Sequence, residues 1–205
     1  MADTKEHLDL VDRFCKVNDV KHLTTKYPLD KSSVIFDVGA YTGGWALRMY
    51  DLYECPIYCF EPVNSSFLAL EKATNHCDDI VNFNFALSDK NGHREINVQK
   101  DGSSFFVSSG ECELVKERDM VEVLDELNLN QVSLLKINIE GAEFDLLEHL
   151  IANDKLKEFE HIQIQYHREV LNFDVRRNFI QTELHKTHNK NYDYAFVWES
   201  WSKKT

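Results

Sequence analysis

A chain of 205 residues with 43% apolar and 12% aromatic content can build one well-cored domain and is too short for two. Only seven Gly and three Pro exclude a low-complexity chain, and a formal net charge of −12 sets the overall field against phosphate backbones and anionic lipid. Neither nucleic acid nor membrane is therefore expected as a partner. The first residues lack the apolar core of a signal peptide, and no apolar run approaches the roughly 20 residues of a membrane span, so a cytoplasmic protein is expected. Cys15, Cys55, Cys59, Cys77 and Cys112 are odd in number with no Cys-x-x-Cys spacing, which fits free buried thiols better than disulfides or a zinc site.

In chain order, Leu8, Leu10, Val11, Phe14, Cys15 and Val17 mark one face of a helix, and residues 1–30 read as a helical cap over a sheet. Val34 to Asp37 is a short apolar run suited to a buried parallel strand, followed by a turn bearing Gly39, Gly43 and Gly44 and a helix from about Gly43 to Leu52. Pro56 to Phe60 is a second strand ending at Glu61-Pro62, with Ser65 or Ser66 placed to cap a helix through Ala73. Ile80 to Phe85 supplies a third strand. Arg94 to Gln99 and Ser104 to Ser108 alternate as two short strands outside the main repeat. Val115 to Val123 starts like a strand and ends in a helical pattern. Val132 to Ile139 is the strongest core strand, and Ala142 to Ile151 has helical spacing. His161 to Tyr166, a helix near Val175 to Lys186, and a terminal strand from Tyr192 to Trp198 complete the chain.

Alternation of this kind predicts a single α/β domain over 1–205, a mostly parallel sheet with helices on both faces, and ligands at the carboxyl ends of the strands. Those ends carry Asp37, Glu61, Ala86, Asn138 with Glu140, and His167. The glycine turn narrows the ligand. Gly39 and Gly44 have phosphate-loop spacing, but Trp45 and Ala46 stand where that loop needs Lys and Ser or Thr; Tyr41 replaces the middle glycine of a dinucleotide fingerprint. What remains is Asp-x-Gly-x-x-x-Gly with an acid, Glu61, at the end of the next strand. That pattern suits a nucleoside without phosphates, Glu61 accepting both ribose hydroxyls, and S-adenosylmethionine has that shape. Asp37 also suits a plain turn cap, and Glu61 a solvated strand end.

The pieces Phe36-Asp-Val-Gly-Ala40, Phe60-Glu-Pro62, Phe85-Ala-Leu-Ser-Asp89, Leu124-Asp125 and Lys136-Ile-Asn-Ile-Glu-Gly-Ala-Glu143 resemble, in order and spacing, the FkbM family of S-adenosylmethionine-dependent methyltransferases. The resemblance implies a Rossmann-like class I methyltransferase fold. It also implies that Asp37, Gly39 and the Ala40-Tyr41-Thr42-Gly43 backbone hold the methionine portion, Glu61 the ribose, and Phe85 to Leu87, with Phe85 and Ala86 foremost, the adenine. Two positions depart from the family: Tyr41 stands where Asn is usual, and Asn138 where Asp is usual. Asn138 can still hydrogen-bond a methionine amine or a substrate hydroxyl, but it brings no charge and cannot act as a base.

Methyl transfer from a sulfonium is an in-line displacement, and a neutral hydroxyl needs a base or a cation to attack. Glu140 and His167 leave adjacent predicted strands, with Glu143 one helical turn beyond Glu140, so Glu140 or His167 is expected as base, Asn138 beside them, and Mg or Mn as an alternative whose ligands the sequence does not name. Glu143 equally suits a helix N-terminus, where the dipole favours an acid. The resemblance implies O-methylation, with a sugar or glycan hydroxyl, or another small molecule, as acceptor and the protein a monomer or homodimer. A cofactor-binding accessory protein without methyl transfer is the competing reading.

Overall fold

The computed structural model describes residues 5–99, 102–104 and 111–205. In chain order the elements are α1 (Lys5–Lys21), β1 (Ile35–Val38), α2 (Gly44–Tyr53), β2 (Ile57–Phe60), α3 (Asn64–Thr74), β3 (Ile80–Phe83), β4 (Ala86–Ser88), β5 (Gly92–Gln99), β6 (Gly102–Ser104) and β7 (Glu111–Asp119). Then follow α4 (Met120–Glu126), β8 (Val132–Ile137), α5 (Glu143–Ala152), β9 (Phe159–Ile164), α6 (Phe173–Thr187), β10 (His188–Tyr194) and β11 (Trp198–Lys203).

Seven strands form the main sheet in the order β10-β11-β9-β8-β1-β2-β3. From β3 to β9 every pairing is parallel, while β11 runs antiparallel between β9 and β10. Alternation along the central strands explains why both faces are covered. Phe36 and Leu135 pack into a cluster with α4, α5 and α6, whereas their neighbours Ile35 and Leu134 pack with Ala46 and Met49 of α2 and Leu70 of α3. All four residues of β1 are buried, so this strand sits at the centre of the core.

The excursion forms a separate four-stranded sheet in the order β4-β7-β5-β6. Ile96 of β5 and Val115 of β7 pack on Val63, between β2 and α3, which seats this small sheet against the carboxyl end of β2.

Several expectations are revised. The third strand ends at Phe83, because Ala86–Ser88 leaves the main sheet to pair with β7. The ambiguous stretch resolves at Asp119, whose Oδ1 accepts the N–H groups of Val121 (2.8 Å) and Glu122 (3.3 Å) and so starts α4. Neither Ser65 nor Ser66 caps α3, which begins at Asn64 after Val63. Tyr192 to Trp198 is not one strand but the bend of the β10–β11 hairpin: the Val197 N–H closes onto the Tyr194 carbonyl (2.8 Å) and Phe196 sits at φ +58°. Of the strand expected at 104–108, residues 105–108, with Phe105 and Phe106, lie outside the described residues. All five cysteines are free, Cys55, Cys59 and Cys77 buried as expected, but Cys15 and Cys112 are exposed. Among the described residues no helix is long and apolar enough to cross a membrane.

Candidate active site

The exits of β1, β2 and β8 meet because the first of them turns on glycine. Gly39 has φ +84°, and a Cβ there would lie 2.0 Å from the Asn138 carbonyl oxygen, so any other residue would push β1 and β8 apart. Two further residues at this edge hold left-handed backbone without being glycine, Tyr41 (φ +51°) and Glu140 (φ +53°), a local strain that marks functional edges more often than loops at large. Between these exits opens a cavity of about 880 Å³, counted to its mouth. Val38, Phe60, Leu87 and Ile139 line its apolar part, and Glu61, Asn138, Glu117 and Glu140 its polar part.

Glu61 is 6% exposed and accepts with both oxygens, Oε2 from the Tyr41 N–H (2.8 Å) and Oε1 from the Val63 N–H (2.9 Å). The carboxylate therefore ties the glycine turn to the end of β2. Burial pushes its pKa up to about 7, against the pull of those two N–H groups and of Lys136. Since a carboxylate has about four lone-pair sites, each oxygen keeps capacity for one more donor.

Asp37 lies deeper and is fully buried. Its Oδ1 accepts from Lys136 Nζ at 2.7 Å, and that ammonium also donates to the Gly39 carbonyl at 2.8 Å. Burial raises the Asp37 pKa while Lys136 opposes the rise. Lys136 is the residue here whose role the sequence reading left unassigned. Its signal was a lysine in the middle of an apolar strand, and β1–β8 register puts it directly beside Asp37. Two buried acceptors remain without partners, Asp37 Oδ2 and Asn138 Oδ1. A buried acceptor that nothing satisfies is costly, and of the two only Asn138 belongs to the cavity wall, where it fits a ligand carrying an N–H or ammonium donor. The Asn138 acceptor, the glycine exit and the open oxygens of Glu61 together fit an amino-acid nucleoside.

At the rim, His167 stands between two glutamates. Its Nδ1 is 3.1 Å from Glu143 Oε1 and its Nε2 3.4 Å from Glu140 Oε2. Burial alone would lower the histidine pKa, but hydrogen bonds to Glu140 and Glu143 outweigh it and carry it up to about 10. A pKa raised that far favours the imidazolium, a form with no lone pair to give. Glu143 is fully buried, accepts from the Gly141 and His167 N–H groups (2.8 and 2.7 Å), and joins the start of α5 to the end of β9. That is a structural role. Glu140 is left as the partly exposed carboxylate of the group.

Other expected contacts are sorted by the cavity wall. Gly39, Tyr41, Glu61, Ala86, Asn138 and Glu140 line it. Asp37, Ala40, Thr42 and Gly43 do not: Asp37 is fully buried behind the wall, Ala40 is buried in the core, Thr42 faces solvent, and a Cβ on Gly43 would meet Leu70 at 2.8 Å. Phe85 turns inward against Phe60 and Phe83, leaving Ala86 and Leu87 at the wall. Ile96 and Glu117, from the small sheet, also line it and were not expected there. Glu117 is held by Arg94 Nε (2.7 Å) and the Ser88 hydroxyl (3.0 Å). Among the described residues, no group of three or more His, Cys, Asp or Glu side chains is arranged to hold a metal ion.

No curated protein matches this chain. An rRNA methylase from Streptococcus thermophilus has a similar structure, with TM-score 0.51 and 11% identity over 100% of this chain and 99% of that one. So has TrmK from M. capricolum in complex with S-adenosylhomocysteine, with TM-score 0.51 and 11% identity over 94% and 68%. A third is the Methanococcus jannaschii fibrillarin pre-rRNA processing protein, with TM-score 0.52 and 12% identity over 87% and 70%. At these identities the likeness shows the fold, a Rossmann-like class I methyltransferase sheet. The Methyltransferase FkbM domain model matches residues 37–203, most of the chain, and on that match this protein belongs to the FkbM methyltransferase family.

Proposed function

We propose that this chain is an S-adenosylmethionine-dependent O-methyltransferase acting on a hydroxyl of a sugar or glycan. The observation that carries the reading is an unsatisfied acceptor at the cavity wall, Asn138 Oδ1, beside the open lone pairs of Glu61. S-adenosylmethionine, when bound, supplies an electrophilic methyl group on a sulfonium. Asn138 accepts from the amino group of its methionine portion, while Asp37, behind the wall, holds Lys136 against the Gly39 carbonyl. Glu61 accepts the ribose hydroxyls while keeping its bonds to Tyr41 and Val63, and Ala86 and Leu87 form the apolar wall for the base.

Glu140 is the general base. It reaches the cavity from the end of β8, is partly exposed to an incoming acceptor, and is aimed by the His167 imidazolium. A positioned base of this kind contributes about 10²- to 10⁴-fold. His167 is a positioning residue, since it holds Glu140 rather than the acceptor. Tyr41, 49% exposed at the mouth, presents an aromatic face of the kind that sugar rings stack on.

The similar structures named above include an rRNA methylase and a pre-rRNA processing protein, but a net charge of −12 favours a neutral acceptor over RNA for this chain. Titration with S-adenosylhomocysteine tests the donor half, and no binding at millimolar ligand would overturn it. Methyl transfer to a panel of free sugars and glycans tests the acceptor half, and transfer only to RNA or to a protein side chain would replace it.

A further inference from the structure

A second cavity, of about 1140 Å³ counted to its mouth as for the first, lies under the end of α1, at the start of β9 rather than its exit. The two cavities share no lining residue. A ligand held in one does not reach the chemistry of the other.

Its floor is polar where a buried sheet face is ordinarily apolar. His161 of β9 lines it opposite Ser202 of β11, beside Ser200, whose partner Gln163 lies behind the wall, and these side chains are joined into one network. The Tyr27 hydroxyl donates to Gln163 Oε1 (2.6 Å) and lies 3.2 Å from Ser200 Oγ. Asn191 Nδ2 donates to Ser200 (3.2 Å) and Ser202 (2.8 Å), and Ser202 Oγ lies 2.8 Å from His161 Nδ1. Gln163 is fully buried, yet its Nε2 has no partner. Burial lowers the His161 pKa, and in the tautomer whose Nδ1 accepts from Ser202 the Nε2 donates.

Charge gives the second line of argument. The chain has 35 acidic and 23 basic residues, yet Lys21 and Lys26 line this cavity and no Asp or Glu does. Neither lysine has an ion-pair partner among the described residues. Tyr27, Tyr192 and Tyr194 supply ring faces beside them.

We propose that this cavity is a second, non-catalytic binding site for a phosphorylated sugar. The phosphate lies between Lys21 and Lys26, and the hydroxylated ring lies over Ser200 and Asn191 against the tyrosine rings. A phosphate takes up the two cations as point charges, while ring hydroxyls exchange hydrogen bonds with the serine and asparagine network.

Calorimetric titration with glucose 6-phosphate, glucose and inorganic phosphate tests this, with the first cavity filled by S-adenosylhomocysteine in one arm and empty in the other. Glucose 6-phosphate should bind at least about tenfold tighter than glucose or phosphate, and binding should weaken as salt is raised. The double variant Lys21→Ala/Lys26→Ala should lose about tenfold of that affinity while S-adenosylhomocysteine binding is unchanged. Asn191→Ala should weaken glucose 6-phosphate but not inorganic phosphate, which separates ring recognition from charge. No binding, equal binding of phosphate and its sugar ester, or an unaltered affinity in the double variant would each overturn the proposal. Binding that S-adenosylhomocysteine displaces would place the ligand in the first cavity and overturn it too.

Discussion

Glu61 is at once the proposed ribose acceptor and a carboxyl whose pKa burial raises from 4.5 to about 7, and the two properties together predict a pH-dependent cofactor affinity. Ribose hydroxyls donate, so they need the ionised form. With a free-protein pKa of about 7, roughly one molecule in eleven is ionised at pH 6 and ten in eleven at pH 8. S-adenosylhomocysteine should therefore bind about tenfold tighter at pH 8 than at pH 6. Glu61→Gln should flatten that slope and, at pH 8, weaken binding by about 1.5–3 kcal/mol for the lost charged hydrogen bonds. Stability should respond with the opposite sign. A carboxyl whose folded pKa is raised contributes stability that is complete below pH 4.5 and lost as pH rises through about 7. The loss is about 3 kcal/mol at 1.36 kcal/mol per pH unit over that interval, and Glu61→Gln should remove it. Calorimetric titration between pH 5.5 and 8.5, on wild type and Glu61→Gln in parallel, measures the binding effect. A wild-type affinity independent of pH, or the same slope in both proteins, would refute the assignment of Glu61.

Other consequences follow from the same contacts. Gly39→Ala should cost more than about 3 kcal/mol in urea unfolding, because it forces a left-handed alanine onto the Asn138 carbonyl, whereas Gly44→Ala, with no atom within 4 Å of its new Cβ, should gain about 0.4–1 kcal/mol. Lys136→Met should destabilise by about 3–5 kcal/mol, since it leaves the buried Asp37 charge unpaired; adding Asp37→Asn should recover part of that loss, and a double variant no more stable than the single one would contradict the pairing. His167 should show no titration below pH 8 by NMR, and Glu140→Gln should bring its pKa down from about 10. Because that pKa is raised, the stability from His167 is present below pH 6.5 and is lost only as pH climbs through about 10.

Most of the central sheet was legible in the sequence because its strands are short apolar runs bounded by polar exits. Asp37, Glu61, Asn138 and Glu140 were readable as strand ends, and that placed them on one edge. The hairpin was not legible: its bend is Ala195-Phe196-Val197 inside an aromatic stretch, and an aromatic residue at φ +58° follows from tertiary packing rather than local preference. Nor were Ile96 and Glu117, which reach the cavity through a second sheet whose docking depends on the contact of Ile96 and Val115 with Val63. The setting of His167 between two glutamates was equally hidden, since Glu140 and Glu143 reach it across a fold-dependent gap of 24 to 27 positions.

The central claim, that this cavity delivers a methyl group to a hydroxyl through Glu140, is tested most directly by transfer of labelled methyl from S-adenosylmethionine to a sugar and glycan panel, comparing wild type with Glu140→Gln. Wild type should yield an O-methyl ether. Glu140→Gln should bind S-adenosylhomocysteine as wild type does but transfer methyl about 10²- to 10⁴-fold more slowly. Normal cofactor binding with no transfer to any hydroxyl, or equal rates in the two proteins, would contradict it.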